Sequence, residues 1–291
     1  MRRLFPVALI GLFVLAPLAA QTPDDKKASV AYLQKLQQAD GSFVPTDAAG
    51  AKPGLRVTSS ALRALGYFGG APKSTDPLAK FVETHFDKVA GGFTDQAGGK
   101  PDVFTTAVGL MVVNHLKLPE ATYVEPAVKF LAANAKGFEE IRIAAAGLEA
   151  VGKRPAVADA WLEEIAKLRN PDGTYGKGPG TARATGGSVA AVLRLGGKVE
   201  NRDNVVKALK AGQRADGGFG KEEDQASDLE TTYRVMRAFM MLKEKPDEAK
   251  LRAYVAKCRN ADGGYGVAPG QASTVPGTYY ASIIQHWLDQ K

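Results

Sequence analysis

The chain is poor in the residues that staple proteins or bind metals. It has one cysteine, Cys258, among 291 residues, which excludes an intrachain disulfide and any multi-cysteine metal site. Cys258 falls on the helix before the last repeat and reads as a small buried residue. The three histidines, His85, His115 and His286, are scattered. Arginine-rich blocks and basic–aromatic alternation are missing too, so nothing points to a nucleic-acid partner. Past residue 20 there is no apolar run long enough for a membrane span. Without disulfides, the fold has to rest on its core.

What is present begins with a leader. Arg2 and Arg3 precede an apolar run from Leu4 to Leu15, and Ala16, Ala19 and Ala20 follow it. A charged start, a short greasy middle and a small-residue end make a secretory signal, with cleavage near Ala20–Gln21. The run is short of the roughly 20 residues of a spanning helix, and no cysteine follows it to carry a lipid. The expected division is residues 1–20 as signal and 21–291 as one exported domain, periplasmic or extracellular. Losing Arg2 and Arg3 takes Lys+Arg from 38 to 36 against 31 acids, a mild +5 spread along the chain.

One short phrase recurs: an acidic or polar residue, one or two glycines, then an aromatic. It stands as Asp40-Gly41-Ser42-Phe43, Gly91-Gly92-Phe93, Asp172-Gly173-Thr174-Tyr175, Asp216-Gly217-Gly218-Phe219 and Asp262-Gly263-Gly264-Tyr265, with a worn sixth copy in Lys136-Gly137-Phe138. The aromatics are 50, 45, 37, 44 and 46 residues apart. Such a period means stacked copies of one supersecondary unit, none able to bury its apolar face alone.

The fifth unit shows the plan. Val205, Val206, Ala208 and Leu209 make one face of a first helix. Gly217 and Gly218 permit a left-handed exit turn, and Phe219 returns to cover the helix end. Ser227-Asp228-Leu229-Glu230 then reads as a capping box. It opens a thickly apolar second helix through Tyr233, Val235, Met236, Phe239 and Leu242. The other second helices start near Thr58-Ser59, Thr105-Thr106, Ile141, Thr185-Gly186 and Gly277-Thr278. One-sided first helices and thick second helices predict an outer and an inner helix in each unit. Six pairs can close into a double ring around a cavity or coil into an open superhelix. The lack of polar end repeats favours the closed ring, with the first unit touching the sixth.

The phrase and the helix after it resemble the prenyltransferase β-subunit and squalene–hopene cyclase repeat family. Gln37-x-x-x-Gly41-x-Phe43 and Gln213-x-x-x-Gly217-x-Phe219 are similar to its Gln-x-x-x-Gly-x-aromatic repeat. Asp228-Leu-Glu-Thr-Thr-Tyr-Arg-Val-Met-Arg-Ala-Phe looks like the start of its inner helices. The resemblance covers residues 28–288 and implies an all-α fold, a closed α/α toroid (α6/α6 barrel) of six helical hairpins. In size the chain is most similar to geranylgeranyl transferase type II β-like proteins. The family implies an isoprenoid in an aromatic-lined funnel and a catalytic zinc at the rim.

The zinc columns are altered. The Asp column holds Glu230, the Cys column Thr232 and the His column Gly277, which leaves one carboxylate of three ligands. No zinc or other cofactor is therefore expected. Basic residues should precede the fifth inner helix, but Glu222, Glu223, Asp224, Asp228 and Glu230 stand there with only Lys221 near. That acidic loop repels a diphosphate. Basic residues lie on other loops, at Lys52, Arg56, Lys100, Lys177 and Arg183. The cyclases' Asp-x-Asp-Asp-Thr-Ala run is similar in frame to Pro101-Asp102-Val103-Phe104-Thr105-Thr106-Ala107, with Phe104 and Thr105 in place of the working aspartates. In Asp228-Leu229-Glu230-Thr231-Thr232, Glu230 occupies the acid's place. Glu230 and Asp228 are thus candidate catalytic acids, and equally a helix cap. Phe104, Tyr233, Tyr279, Tyr280 and Trp287 are candidate cavity liners, and equally core. The Cys-Gly-Glu-Gln run of complement-like toroids is absent.

The function expected from this set is an exported repeat protein holding an isoprenoid or other apolar small molecule or lipid. Two alternatives stand beside it. One is an active prenyltransferase, or a terpene cyclase using Glu230. The other is a non-enzymatic scaffold that binds a protein partner.

Overall fold

In the computed structural model, which describes residues 21–221 and 226–290, the six units are six helical hairpins. The first helices are α1 (Pro23–Lys35), α3 (Asp76–Thr84), α5 (Glu120–Asn134), α7 (Ala158–Ala166), α9 (Arg202–Ala211) and α11 (Glu248–Lys257). The second helices are α2 (Leu55–Tyr67), α4 (Val103–Leu116), α6 (Gly137–Ala150), α8 (Thr181–Arg194), α10 (Leu229–Leu242) and α12 (Val275–Asp289). The expected signal, residues 1–20, lies outside the described residues.

Burial separates the two sets. Helix α9 buries 3 of its 10 residues, Val205, Val206 and Leu209, whereas α12 buries 11 of 15. Each second helix packs on the next, and α12 packs back on α2, so the ring is closed. Contacts at matching heights, Arg56 with Thr105 and Arg63 with Met111, show α2 and α4 running side by side in one direction.

The turns carry the closure. Gly41 faces Leu78, Gly91 faces Pro126, Gly173 faces Asn201 and Gly217 faces Lys250, each on or at the start of the next unit's first helix. Gly263 completes the cycle by facing Ala28. There Ser29 Oγ donates to the Gly263 carbonyl at 2.8 Å, and Arg259 meets Asp25 at 2.9 Å. Gly217 sits at φ +95°, and a Cβ there would collide with the Lys250 carbonyl. The phrase therefore requires glycine on both counts. The third link departs from the plan. Gly137 opens α6 directly after a two-residue connection, with nothing packed on it.

The threonines that mark the inner-helix starts fasten the turns. The backbone N–H groups of Phe43, Phe93, Tyr175, Phe219 and Tyr265 donate to Oγ1 of Thr58, Thr106, Thr185, Thr232 and Thr278 at 2.9–3.1 Å. A buried N–H outside a helix needs such an acceptor. Each turn thus holds its aromatic over the core, where Phe43 and Phe93 are fully buried. Cys258, at the end of α11, is buried as well.

The capping box expected of Ser227 and Glu230 is not formed. Helix α10 starts one residue later than the box needs, which puts Glu230 at the second helical position instead of the third. Asp228 is the cap. Its carboxylate accepts from Thr231 N and Thr231 Oγ1, both at 2.7 Å. Ser227 turns away and donates to Asp216 at 2.9 Å.

Candidate functional site

A cavity of about 390 Å³ lies on the ring axis, and all six inner helices border it. Its wall is arginine and tyrosine rather than aliphatic: Arg63 and Tyr67 on α2, Arg142 on α6, Arg194 on α8, Tyr233, Arg234 and Arg237 on α10, Tyr279 and Tyr280 on α12. Val108, Met111, Ile143 and Ala146 supply a smaller apolar part. At the C-terminal ends of α4 and α6, Asn114, His115 and Glu149 are exposed, which opens this side to solvent.

Near the N-terminal ends of the inner helices, every named cation has a carboxylate partner. Arg234 Nη1 meets Glu139 at 2.9 Å and Arg234 Nη2 meets Glu230 at 2.9 Å. Arg142 also meets Glu139, at 2.8 Å. Arg183 and Lys221 approach Glu230 at 3.3 and 3.6 Å. Arg234 on α10 thereby reaches α6, two places round the ring. Gly186 of α8 lets the α10 backbone come close, since a Cβ there would crowd Val235 Cα and the Arg234 carbonyl.

Deeper in, the balance is lost. Arg63 lies over the Tyr279 ring at 4.6 Å and touches Met111 Sδ at 3.2 Å. Arg237 lies over Trp287 at 4.5 Å and Tyr233 at 5.7 Å. Among the described residues neither pairs with a carboxylate. Among the described residues, Arg237 Nε and Tyr279 Oη are buried without a hydrogen-bond partner. Native interiors rarely leave such groups unsatisfied. Burial pushes the Tyr233 hydroxyl up, but Arg237, Arg63 and Arg194 together pull its pKa well below the ordinary phenol value. Tyr279 goes the other way: burial, and Tyr233 beside it, raise it against the pull of Arg63.

Of the expected liners, Tyr233, Tyr279 and Tyr280 face the cavity. Trp287 stands behind, stacked on Tyr233 at 5.8 Å with an 11° tilt. Phe104 is not on the wall and packs under Arg56, 5.9 Å from the guanidinium carbon. Glu230 borders the cavity, while Asp228 is committed to capping α10. Burial raises the Glu230 pKa, but Arg234, Lys221 and Arg183 outweigh it and hold the carboxyl below its usual range. That direction is away from the raised pKa that a proton-donating carboxylic acid uses. Asp102, in the cyclase-like frame, caps α4 through Thr105 N and Oγ1 at 2.8 and 2.7 Å.

The three zinc columns do not assemble a ligand set. Glu230 is surrounded by cations, and Thr232 Oγ1 both accepts from Phe219 N and donates to the Asp228 carbonyl. A side chain at Gly277 would run into the Tyr265 carbonyl. Among the described residues no group of three or more His, Cys, Asp or Glu is placed to hold a metal ion. Glu222, Glu223 and Asp224, the core of the acidic loop, lie outside the described residues.

The cavity arginines are what the sequence reading missed. Their signal was present: a charged residue inside a helix read as apolar on most sides, as with Arg234 and Arg237 amid Val235, Met236 and Phe239. An arginine in that position needs a partner or a ligand.

The chain belongs to the prenyltransferase α/α toroid family. The pattern of the prenyltransferase alpha-alpha toroid domain matches residues 6–70, 71–132 and 141–288. The unmatched stretch, 133–140, contains the third link that departs from the plan. No curated protein matches the chain. Among solved structures it is similar to Candida albicans protein geranylgeranyltransferase-I complexed with GGPP, at 15% identity over 79% of this chain and 82% of that one, with a TM-score of 0.66. A type II terpene cyclase from Scytonema in complex with geranylgeranyl dihydroxybenzoate is 11% identical over 91% and 95%, TM-score 0.63. A glycosidase in complex with glucose is 14% identical over 91% and 95%, TM-score 0.63. At these identities the likeness is one of fold, and function has to be argued from the site.

Proposed function

We propose that this toroid holds a small amphipathic molecule in its central cavity, an isoprenoid or similar lipid-like compound with a polar head. One observation carries the reading: Arg63 and Arg237 line a cavity bordered by all six inner helices, and among the described residues neither pairs with a carboxylate. The geranylgeranyltransferase and the terpene cyclase that share the fold are each complexed with a geranylgeranyl compound bearing a polar group. A wholly apolar ligand fits less well. It would strip water from guanidinium groups and return no hydrogen bond.

In this reading the protein works without zinc and without proton donation by Glu230. The leader, residues 1–20, directs export, so the ligand is met outside the cytoplasm. Mass spectrometry of small molecules released from the purified, denatured protein is the direct test. A stoichiometric amphipathic compound is the expected result. An empty protein that also fails to bind geranyl phosphate or geraniol would sink the reading.

A further inference from the structure

The charges along α10 give the proposed ligand site a chemical preference, which presupposes that the cavity holds a ligand at all. Glu230 and Arg237 are seven residues apart on α10, about 10 Å along the helix. Between them the cavity passes from cations paired with carboxylates to cations without one among the described residues. Arg142 and Arg234 share Glu139 and Glu230, and Arg194 is held by Glu149 at 2.8 Å. Arg63 and Arg237 come from opposite sides of α12 and have aromatic faces around them where carboxylates would be expected. Such faces attract a cation weakly compared with a carboxylate. Two guanidiniums in one partly desolvated space also repel each other.

We propose that Arg63 and Arg237 form an oxyanion site that takes the carboxylate or phosphate head of a small organic acid. The remainder of that acid packs against Tyr67, Tyr233 and Met111. The guanidinium forks suit planar or tetrahedral oxyanions. The approach is from the side where Asn114, His115 and Glu149 are exposed. This site lies deeper than the family's metal columns at Glu230, Thr232 and Gly277. Tyr233 lies among the same arginines, and Arg237, Arg63 and Arg194 outweigh burial to hold its hydroxyl below the ordinary phenol range, so it reports on charge bound beside them.

The test uses the full mature chain, residues 21–291, with phenyl phosphate, benzoate and uncharged geraniol as probes at fixed ionic strength. Calorimetry should show saturable binding of at least one anion. Arg63→Met and Arg237→Met should each weaken it tenfold or more, Arg63→Lys less, and the exposed Lys100→Met not at all. Whichever of phosphate and carboxylate binds more tightly names the head group. The unmutated protein gives a second readout. Tyrosinate absorbance should be present below the usual phenol range and should fall as the anion binds. Geraniol binding without anion binding would overturn the oxyanion site and leave the cavity reading standing. Anion binding equally lowered by Lys100→Met would reveal only diffuse surface charge and would overturn it too.

Discussion

Arg234 and Arg237 are less than one turn apart on α10 and are in opposite circumstances. Arg234 is clasped by Glu139 and Glu230, each at 2.9 Å. Arg237 rests on the faces of Trp287 and Tyr233, and its Nε has no partner. The same residue type thus does two jobs on one helix. The first arginine ties α10 to α6 across the cavity, and its removal takes a close partner from two carboxylates. The second has no carboxylate partner among the described residues. The charged groups at the N-terminal end of the cavity are therefore structural, and those further along the axis are not tied up in the same way.

The largest effect that separates the two is expected from Arg234→Met. Glu139 and Glu230 would both lose a close partner while partly buried. Breaking such a network costs about 2–3 kcal/mol. Urea denaturation of the two methionine variants side by side measures it. If Arg234→Met costs no more than Arg237→Met, the distinction between the N-terminal charge cluster and the interior fails.

Acid should act on the N-terminal charge cluster before the interior. Burial raises the pKa of Glu139, but Arg142 and Arg234 outweigh it, and the net shift is downward. Glu230 is lowered in the same way. A carboxyl depressed in the folded state contributes stability above its unfolded pKa, and that stability is lost as pH falls through the folded value. Stability should be level near neutrality and decline below about pH 4.3, the ordinary glutamate range. In Arg234→Met the decline should be shallower. An equal slope in both proteins would mean that other carboxylates govern acid unfolding.

A smaller effect tests the helix start. Asp228→Ala removes the cap that accepts from Thr231 and should cost about 1 kcal/mol. Glu230→Gln leaves the cap alone and weakens the attraction to Arg234, Arg183 and Lys221. It should cost about the same or less, since exposed parts of such networks contribute little. If Glu230→Gln proves far worse than Asp228→Ala, Glu230 has a role that its ion pairs do not account for.

The fold was legible in the sequence because the repeat is written in backbone chemistry. Gly217 and Gly263 are required by turn geometry, Phe219 and Tyr265 by the helix ends they cover, and Thr232 and Thr278 by the N–H groups they accept. Those demands recur at each turn, so the period reveals them. The third link was legible as worn but not as a missing turn, since one glycine cannot show how short a connection is. The site was legible in part. Tyr233, Tyr279 and Tyr280 announced themselves as aromatics on inner helices. Arg63, Arg194 and Arg237 did not, because a period of one turn cannot say which face of an inner helix meets the axis. The capping box was misread by a single residue. Serine and aspartate are both good caps, and only the first helical residue decides between them.

The smallest expected effect is also the most diagnostic. Arg237→Met should change stability by less than about 1 kcal/mol, and the change should favour the folded state if it has a sign. Methionine keeps much of the volume packed on Trp287 and Tyr233. It removes a guanidinium whose desolvation is repaid by no carboxylate, and replacing buried charge with an apolar side chain is often neutral or stabilising. The cation–π attraction given up with the guanidinium is worth about 0.5–2 kcal/mol, which sets the limit on the other side. The same substitution should leave Tyr233 with one fewer cation and move its pKa back toward the ordinary phenol value, visible as tyrosinate appearing at higher pH. A stable Arg237→Met protein with a shifted tyrosine titration would mark the arginine as kept for a ligand. A variant destabilised as much as Arg234→Met would place it with the structural charges.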